Sequence, residues 1–176
     1  MQFQIERSVE ILSRTPATLN SLLRGLSSDW IYNNEGGDSW SPFDIVGHLI
    51  HGEETDWIPR ARIILEHGQS RPFEPFERFA MLEKSKGKSL DELLDTFARL
   101  RKESLVALKK LELSPKKLEQ TGIHPALGQV TLRQLLSTWT VHDLNHIGQI
   151  VRVMAKQYKE EVGPWISHLS ILNKPA

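Results

Sequence analysis

The sequence contains no cysteine, which removes disulfides, thiolate metal ligands and an internal thiol nucleophile at once. Metal binding then falls to His, Asp and Glu, and any thiol chemistry must bring its thiol from outside. Net charge is also missing: 22 Lys and Arg are balanced by 22 Asp and Glu. The totals therefore supply no basic field for nucleic acid or an anionic membrane surface. No run approaches the roughly 18 apolar residues of a membrane span. Met1 to Glu10 carries neither a basic stretch followed by an apolar run nor an arginine-rich amphipathic pattern. A soluble cytoplasmic protein without nucleic-acid or membrane partners is the expectation. Internal repeats, heptad arrays and low-complexity segments are absent too. What is present is 176 residues with 39% apolar content, enough to bury the core of one domain over residues 1–176.

Taken in order, Ile5 to Leu12 reads as a short helix, and Thr15-Pro16 offers an N-cap and first-turn proline for a second start. Leu19, Leu22, Leu23 and Leu26 then give one buried face. The turn-rich run Asn33 to Ser39 ends that region. Ser41 as N-cap, Pro42 in the first turn and Asp44 at the third position open the next helix, with Trp40 and Ile45 as its hydrophobic staple. Its apolar pattern runs to about Glu66, and Pro59 forces a kink or break partway. Gly68 to Lys88, with Pro72, Pro75 and Gly87 as breakers and Phe73, Phe76 and Phe79 close together, reads as a long crossover that closes one end of the fold. Ser89, followed by Asp91 and Glu92, starts a third long helix to about Leu113. Its inward stripe is Leu90, Leu94, Phe97, Arg101, Ser104, Leu108 and Leu111, so two polar residues interrupt an apolar face at mid-length. Ser114 to Gln129 forms a second connection. Thr131 with Gln134 makes a capping box, stapled by Val130 and Leu135, for a fourth long helix ending near Tyr158. Gly163-Pro164 precedes a short terminal helix, Trp165 to Leu172. Four helical patterns and no convincing period-two run predict an all-α fold, a four-helix bundle with a long crossover connection.

The fourth helix carries the chemistry. From Thr138 to Ile150 no residue breaks the helical pattern, and Leu135, Trp139, His142, His146, Gln149 and Val153 fall on one stripe. Spacing alone is weak: with seven histidines, roughly 0.3 pairs at i and i+4 arise by chance. Position strengthens the signal, because a buried imidazole pair needs partners for its nitrogens and a divalent metal can use both. A third ligand must come from another helix. His48 is the natural donor, one turn into a helix whose inward stripe also holds Gly52 and Asp56. Three neutral nitrogens without sulfur suit zinc or nickel, and also ferrous iron, and leave positions open for water or substrate. Two other readings stand beside this one. The pair can be core histidines satisfied without metal. It can also follow the two-histidine spacing of a zinc protease helix, with Asp143 in place of the usual Glu and His168 as a downstream third ligand.

Trp40-Ser41-Pro42, then Ile45-Val46-Gly47-His48-Leu49, then His142-Asp143-Leu144-Asn145-His146-Ile147-Gly148-Gln149 resembles the DinB-like (DinB/YfiT-like) superfamily of metal-dependent enzymes. The resemblance extends from the first helix through Gly163-Pro164-Trp165. It implies a four-helix bundle with a long crossover and a divalent metal on His48, His142 and His146. By family analogy it also implies a homodimer. Relatives with assigned activities use low-molecular-weight thiols such as bacillithiol or mycothiol, so the expected function is a thiol S-transferase acting on a small-molecule electrophile. A metal that lowers the pKa of an external thiol would present the thiolate; the same site with water would be a hydrolase. A non-catalytic metal-binding or regulatory bundle is the remaining alternative. Candidate catalytic residues are His51, Asp56 and Arg101. Glu53 and Asp143 are candidate acceptors for the outer imidazole N–H groups, and Asn145 and Gln149 flank the ligands.

Overall fold

The computed structural model describes residues 2–173; Met1 and residues 174–176, the ends of the expected domain, lie outside them. Four helical columns form the bundle: α1 (Ile5–Leu23), the bent pair α3 (Pro42–Thr55) and α4 (Trp57–His67), α6 (Leu90–Lys110) and α8 (Leu132–Lys156). Short helices α2 (Ser28–Tyr32), α5 (Ala80–Ser85) and α7 (Pro115–Leu118) sit in the connections, and two 3-10 turns, Gly163–His168 and Ser170–Asn173, follow α8. No helix is long and apolar enough among the described residues to cross a membrane.

The capping chemistry marks the long helices as expected. Ser41 with Asp44, Ser89 with Glu92 and Thr131 with Gln134 each form a reciprocal capping box. Trp40 and Ile45 are buried in one core cluster, and Val130 packs on the other, which holds Leu135. Pro59 acts three residues upstream of itself. It has no N–H for the carbonyl of Thr55 and its ring would crowd that carbonyl, so the chain bends at Asp56, with φ −100° and ψ −74°, and restarts as α4.

Other expectations are corrected. Thr15-Pro16 does not start a new helix: α1 runs unbroken from Ile5 to Leu23. Pro16 leaves the carbonyl of Leu12 without its helical donor, and Arg101 from α6 supplies one instead at 2.8 Å. The all-α expectation gains an exception in an antiparallel hairpin, β1 (Thr121–His124) paired with β2 (Gly128–Thr131), in register Thr121 with Thr131. Strands of four residues that include Gly122 and Gly128 show no alternation to detect. The crossover Gly68 to Lys88 is not all loop, because α5 packs on α3 over Gly47, where an added Cβ would stand 2.6 Å from Ser85 Oγ. Its three phenylalanines also separate. Phe73 is buried in the core, Phe76 faces the histidines and Phe79 is exposed. The terminal segment forms 3-10 turns in place of an α-helix, with Leu172 buried and Trp165 exposed.

The core has two apolar halves. One gathers Leu19, Leu23, Ile45, Leu49, Phe97 and Ile150; the other gathers Leu12, Trp57, Ile64, Leu108, Leu136 and Trp139. Every long column contributes to both, and a polar layer crosses the bundle between them. Arg101, 1% exposed, is its centre. Its guanidinium binds both oxygens of Asp143 on α8 at 2.5 and 2.9 Å, Glu53 on α3 at 2.9 Å and the Leu12 carbonyl on α1. Phe97 and Trp139 cover its faces at 4.9 and 5.2 Å. Burial works against the charge, but Asp143 and Glu53 outweigh it and hold the pKa above the ordinary arginine value. Removing one partner of such a network strands the others in a low-dielectric interior. Arg101→Met is therefore expected to cost about 3–5 kcal/mol in urea unfolding of the metal-free protein. A loss under about 1 kcal/mol, the range of an exposed pair, would show that the columns cohere without it.

Candidate metal centre

His142 and His146, one turn apart on α8, and His48 from α3 bring their Nε2 atoms together just beside the polar layer. His48 Nε2 lies 3.0 Å from His142 Nε2, and His146 Nε2 lies 3.1 Å from it. All three ligating atoms fall within 4.8 Å of one another. Two nitrogens bound to one ion at about 2.0 to 2.1 Å stand about 2.8 to 3.4 Å apart for angles between a right angle and tetrahedral. The observed separations lie inside that range. Gln149 Oε1, 2.8 Å from His146 Nδ1, accepts a hydrogen bond from the Nδ1–H and so leaves the lone pair at Nε2. A cation is the partner that satisfies converging lone pairs together. The Nδ1 atoms of His48 and His142 are buried without a hydrogen-bond partner among the described residues. The cluster is thus able to hold a divalent metal.

Burial also sets the charge state. It pushes the His48 pKa down to about 3, helped by His146, His51 and Arg78. It pushes His142 down to about 2, helped by His146, His48 and Arg101, and it lowers His146 against the opposing effects of Gln149 and Asp143. All three rings are neutral at physiological pH, the form a metal requires.

The cluster opens into a cavity of about 660 Å³. Trp40 stands 4.7 Å from His48 and Phe76 5.4 Å from it, centre to centre. Trp57 meets His142 edge-on at 5.0 Å and stacks on Trp139 at 5.7 Å. Asp56, at the bend between α3 and α4, lines the same cavity. Burial raises its pKa to about 6, opposed by Arg60, whose Nε lies 2.9 Å away.

The sequence candidates are placed as follows. His48, His142, His146 and Asp56 share the cavity, with Asn145 and Gln149 beside them. His51 is buried one turn beyond His48, outside the three-histidine cluster; its Nδ1 lies 3.2 Å from Lys84 Nζ and its ring packs on Phe76 at 4.8 Å. Arg101 lies in the polar layer, not in the cavity wall. Glu53 and Asp143 are the partners of Arg101, and Glu53 Oε1 also accepts from Trp139 Nε1 at 3.2 Å. His168 ends a 3-10 turn beside Trp165 and is not in the cluster, so the protease-like ligand set is not assembled. Sequence reading gave no site role to Arg60, Arg78 or His124, and Trp40 only that of a staple. Arg60 on α4, Arg78 in the crossover and His124 at the end of β1 come from three separate segments, so no single periodicity announces them; only the closure of the hairpin and crossover over α8 puts them in one wall.

A model of the DinB superfamily matches residues 11–150. Among solved structures, YfiT from Bacillus subtilis, described as a probable metal-dependent hydrolase with an unusual four-helix bundle topology, superposes with a TM-score of 0.72 at 18% identity. The match covers 91% of this chain and 88% of that one, and at that identity it speaks for the fold. No curated protein matches the sequence.

Two outcomes test the centre. Gln149→Ala frees the His146 ring and is expected to weaken zinc binding about 10- to 100-fold by calorimetry, with the helical circular dichroism unchanged. In the metal-free protein the unfolded histidines gain protons near their ordinary pKa of 6.5 while His48 and His142 resist until about 3 and 2. Folding stability is therefore present above pH 6.5 and falls as pH drops below it. The urea midpoint should follow, with a shallower fall in His142→Gln; equal slopes would contradict the buried neutral state.

Proposed function

We propose that this chain, which belongs to the DinB superfamily, is a metal-dependent hydrolase of a small-molecule substrate. The observation that carries the reading is the convergence of three neutral imidazole nitrogens on a cavity whose wall also holds Asp56, a carboxylate with a pKa raised to about 6. The description of the structurally similar YfiT as a probable metal-dependent hydrolase supports it. Zinc or nickel suits three neutral nitrogens best, with ferrous iron next. A divalent ion there would supply Lewis-acid chemistry, polarising a substrate oxygen and lowering the pKa of water.

The chain's own residues do the rest. Asp56 accepts a proton from water and returns it to the leaving group, a task suited to a pKa just below physiological pH. Arg60 fixes its orientation. Trp40, Trp57 and Phe76 wall the reacting atoms from bulk water, and Thr138, Asn145 and Gln134 offer hydrogen bonds for orienting a substrate. His51 acts through Phe76 and Arg101 through Asp143, both as positioning residues. The thiol S-transferase expected from the sequence would use the same nitrogens with an external thiol. A carboxylate in the wall of the same cavity favours water, because a thiol is acidic enough to need no such base.

Zinc-reconstituted protein, offered esters, amides and phosphoesters without added thiol, is expected to hydrolyse one of these classes. The rate should rise with pH through about 6 as Asp56 ionises. Asp56→Asn should lower kcat by about 10²- to 10⁴-fold while zinc affinity stays unchanged. Turnover only on addition of bacillithiol or glutathione would instead establish the transferase; bound metal with neither activity would leave a binding module.

A further inference from the structure

We infer that the cavity selects substrates bearing a carboxylate and that Arg78 binds it; this rests on the cavity being the substrate site. Two cations and one carboxylate line the space. Arg60 is already matched, by Asp56 and by the Glu74 carbonyl at 3.2 Å. Arg78 enters no ion pair among the described residues. Its guanidinium lies 4.8 Å from the Trp40 ring centre and 5.7 Å from that of Phe79. The same indole stands 4.7 Å from the His48 ring, so Arg78 and the histidine cluster are less than a small molecule's length apart.

Stacking engages the face of a guanidinium and leaves its N–H edge free, the edge that takes a carboxylate through two parallel hydrogen bonds. Three neutral ligands leave a bound dication uncompensated, so the cavity becomes more positive still when loaded. A neutral substrate would leave both charges unanswered. A single free fork, with no second unpaired arginine lining the cavity among the described residues, fits a monoanionic carboxylate better than a phosphate dianion, which gathers several donors. Trp57, Phe76, Leu127 and Leu135 offer apolar surface to the remainder of the molecule, and the volume suits a small ligand.

The test measures binding of phenylacetate, phenylacetamide and phenyl phosphate by calorimetry, on zinc-loaded and metal-free protein, so it needs no turnover and stands apart from the hydrolase assay. Phenylacetate should bind more tightly than phenylacetamide in both forms. Arg78→Gln should weaken phenylacetate about 10- to 100-fold, leave phenylacetamide and zinc affinity unchanged, and Arg78→Lys should fall between. Arg78 is exposed, so both variants should fold. Wild-type phenylacetate affinity in Arg78→Gln would overturn the inference. So would binding that disappears without zinc, which would place the carboxylate on the metal, or a preference for phenyl phosphate.

Discussion

One guanidinium is bonded to every long column of this bundle except the one that carries it. Arg101 on α6 reaches the Leu12 carbonyl on α1, Glu53 on α3 and Asp143 on α8. A buried charge is tolerated only when its donors are matched, and matching these fixes the relative heights of the helices. Pro16 is part of the same arrangement, because its missing N–H frees the carbonyl that Arg101 takes. A proline that would ordinarily weaken a helix interior here provides an acceptor for another helix.

The histidine cluster inherits its geometry from that layer. Asp143 follows His142 directly, and Glu53 lies on the helix of His48, so the clamp that sets α3 against α8 also sets the distance between their imidazoles. Trp139 links the two levels: its ring covers Arg101, its N–H reaches Glu53 and its face stacks on Trp57, whose edge meets His142. Apolar packing above and below keeps water from the layer. Ligands held neutral by burial and oriented before any ion arrives lose little entropy on binding one.

Much of the fold was legible locally. Capping boxes at Ser41, Ser89 and Thr131 depend on residues three apart, so they declare themselves in the chain. Pro59 announced the bend. The stripes of α6 and α8 showed where polar residues interrupt an apolar face, and among those interruptions were Arg101 of the polar layer and the histidines of the candidate metal centre. Pro16 misled because whether a proline ends a helix or is absorbed depends on a donor 85 positions away, Arg101. The hairpin was missed because each strand is four residues long and gains its stability from its partner and from α4 and α8, not from its own alternation.

By itself the sequence determined the helical class, the family resemblance and three histidines suited to a divalent ion, since residue types and their periodicity carry that information. Tertiary structure decided which polar residues serve the frame and which face the cavity. Arg101, Glu53 and Asp143 became the frame; Asp56 and Arg78 became the wall. The difference lies in long-range packing. A carboxylate or guanidinium in a stripe has the same local signature whether its partner is a buried countercharge or a ligand, and only the approach of distant segments settles which of these it meets.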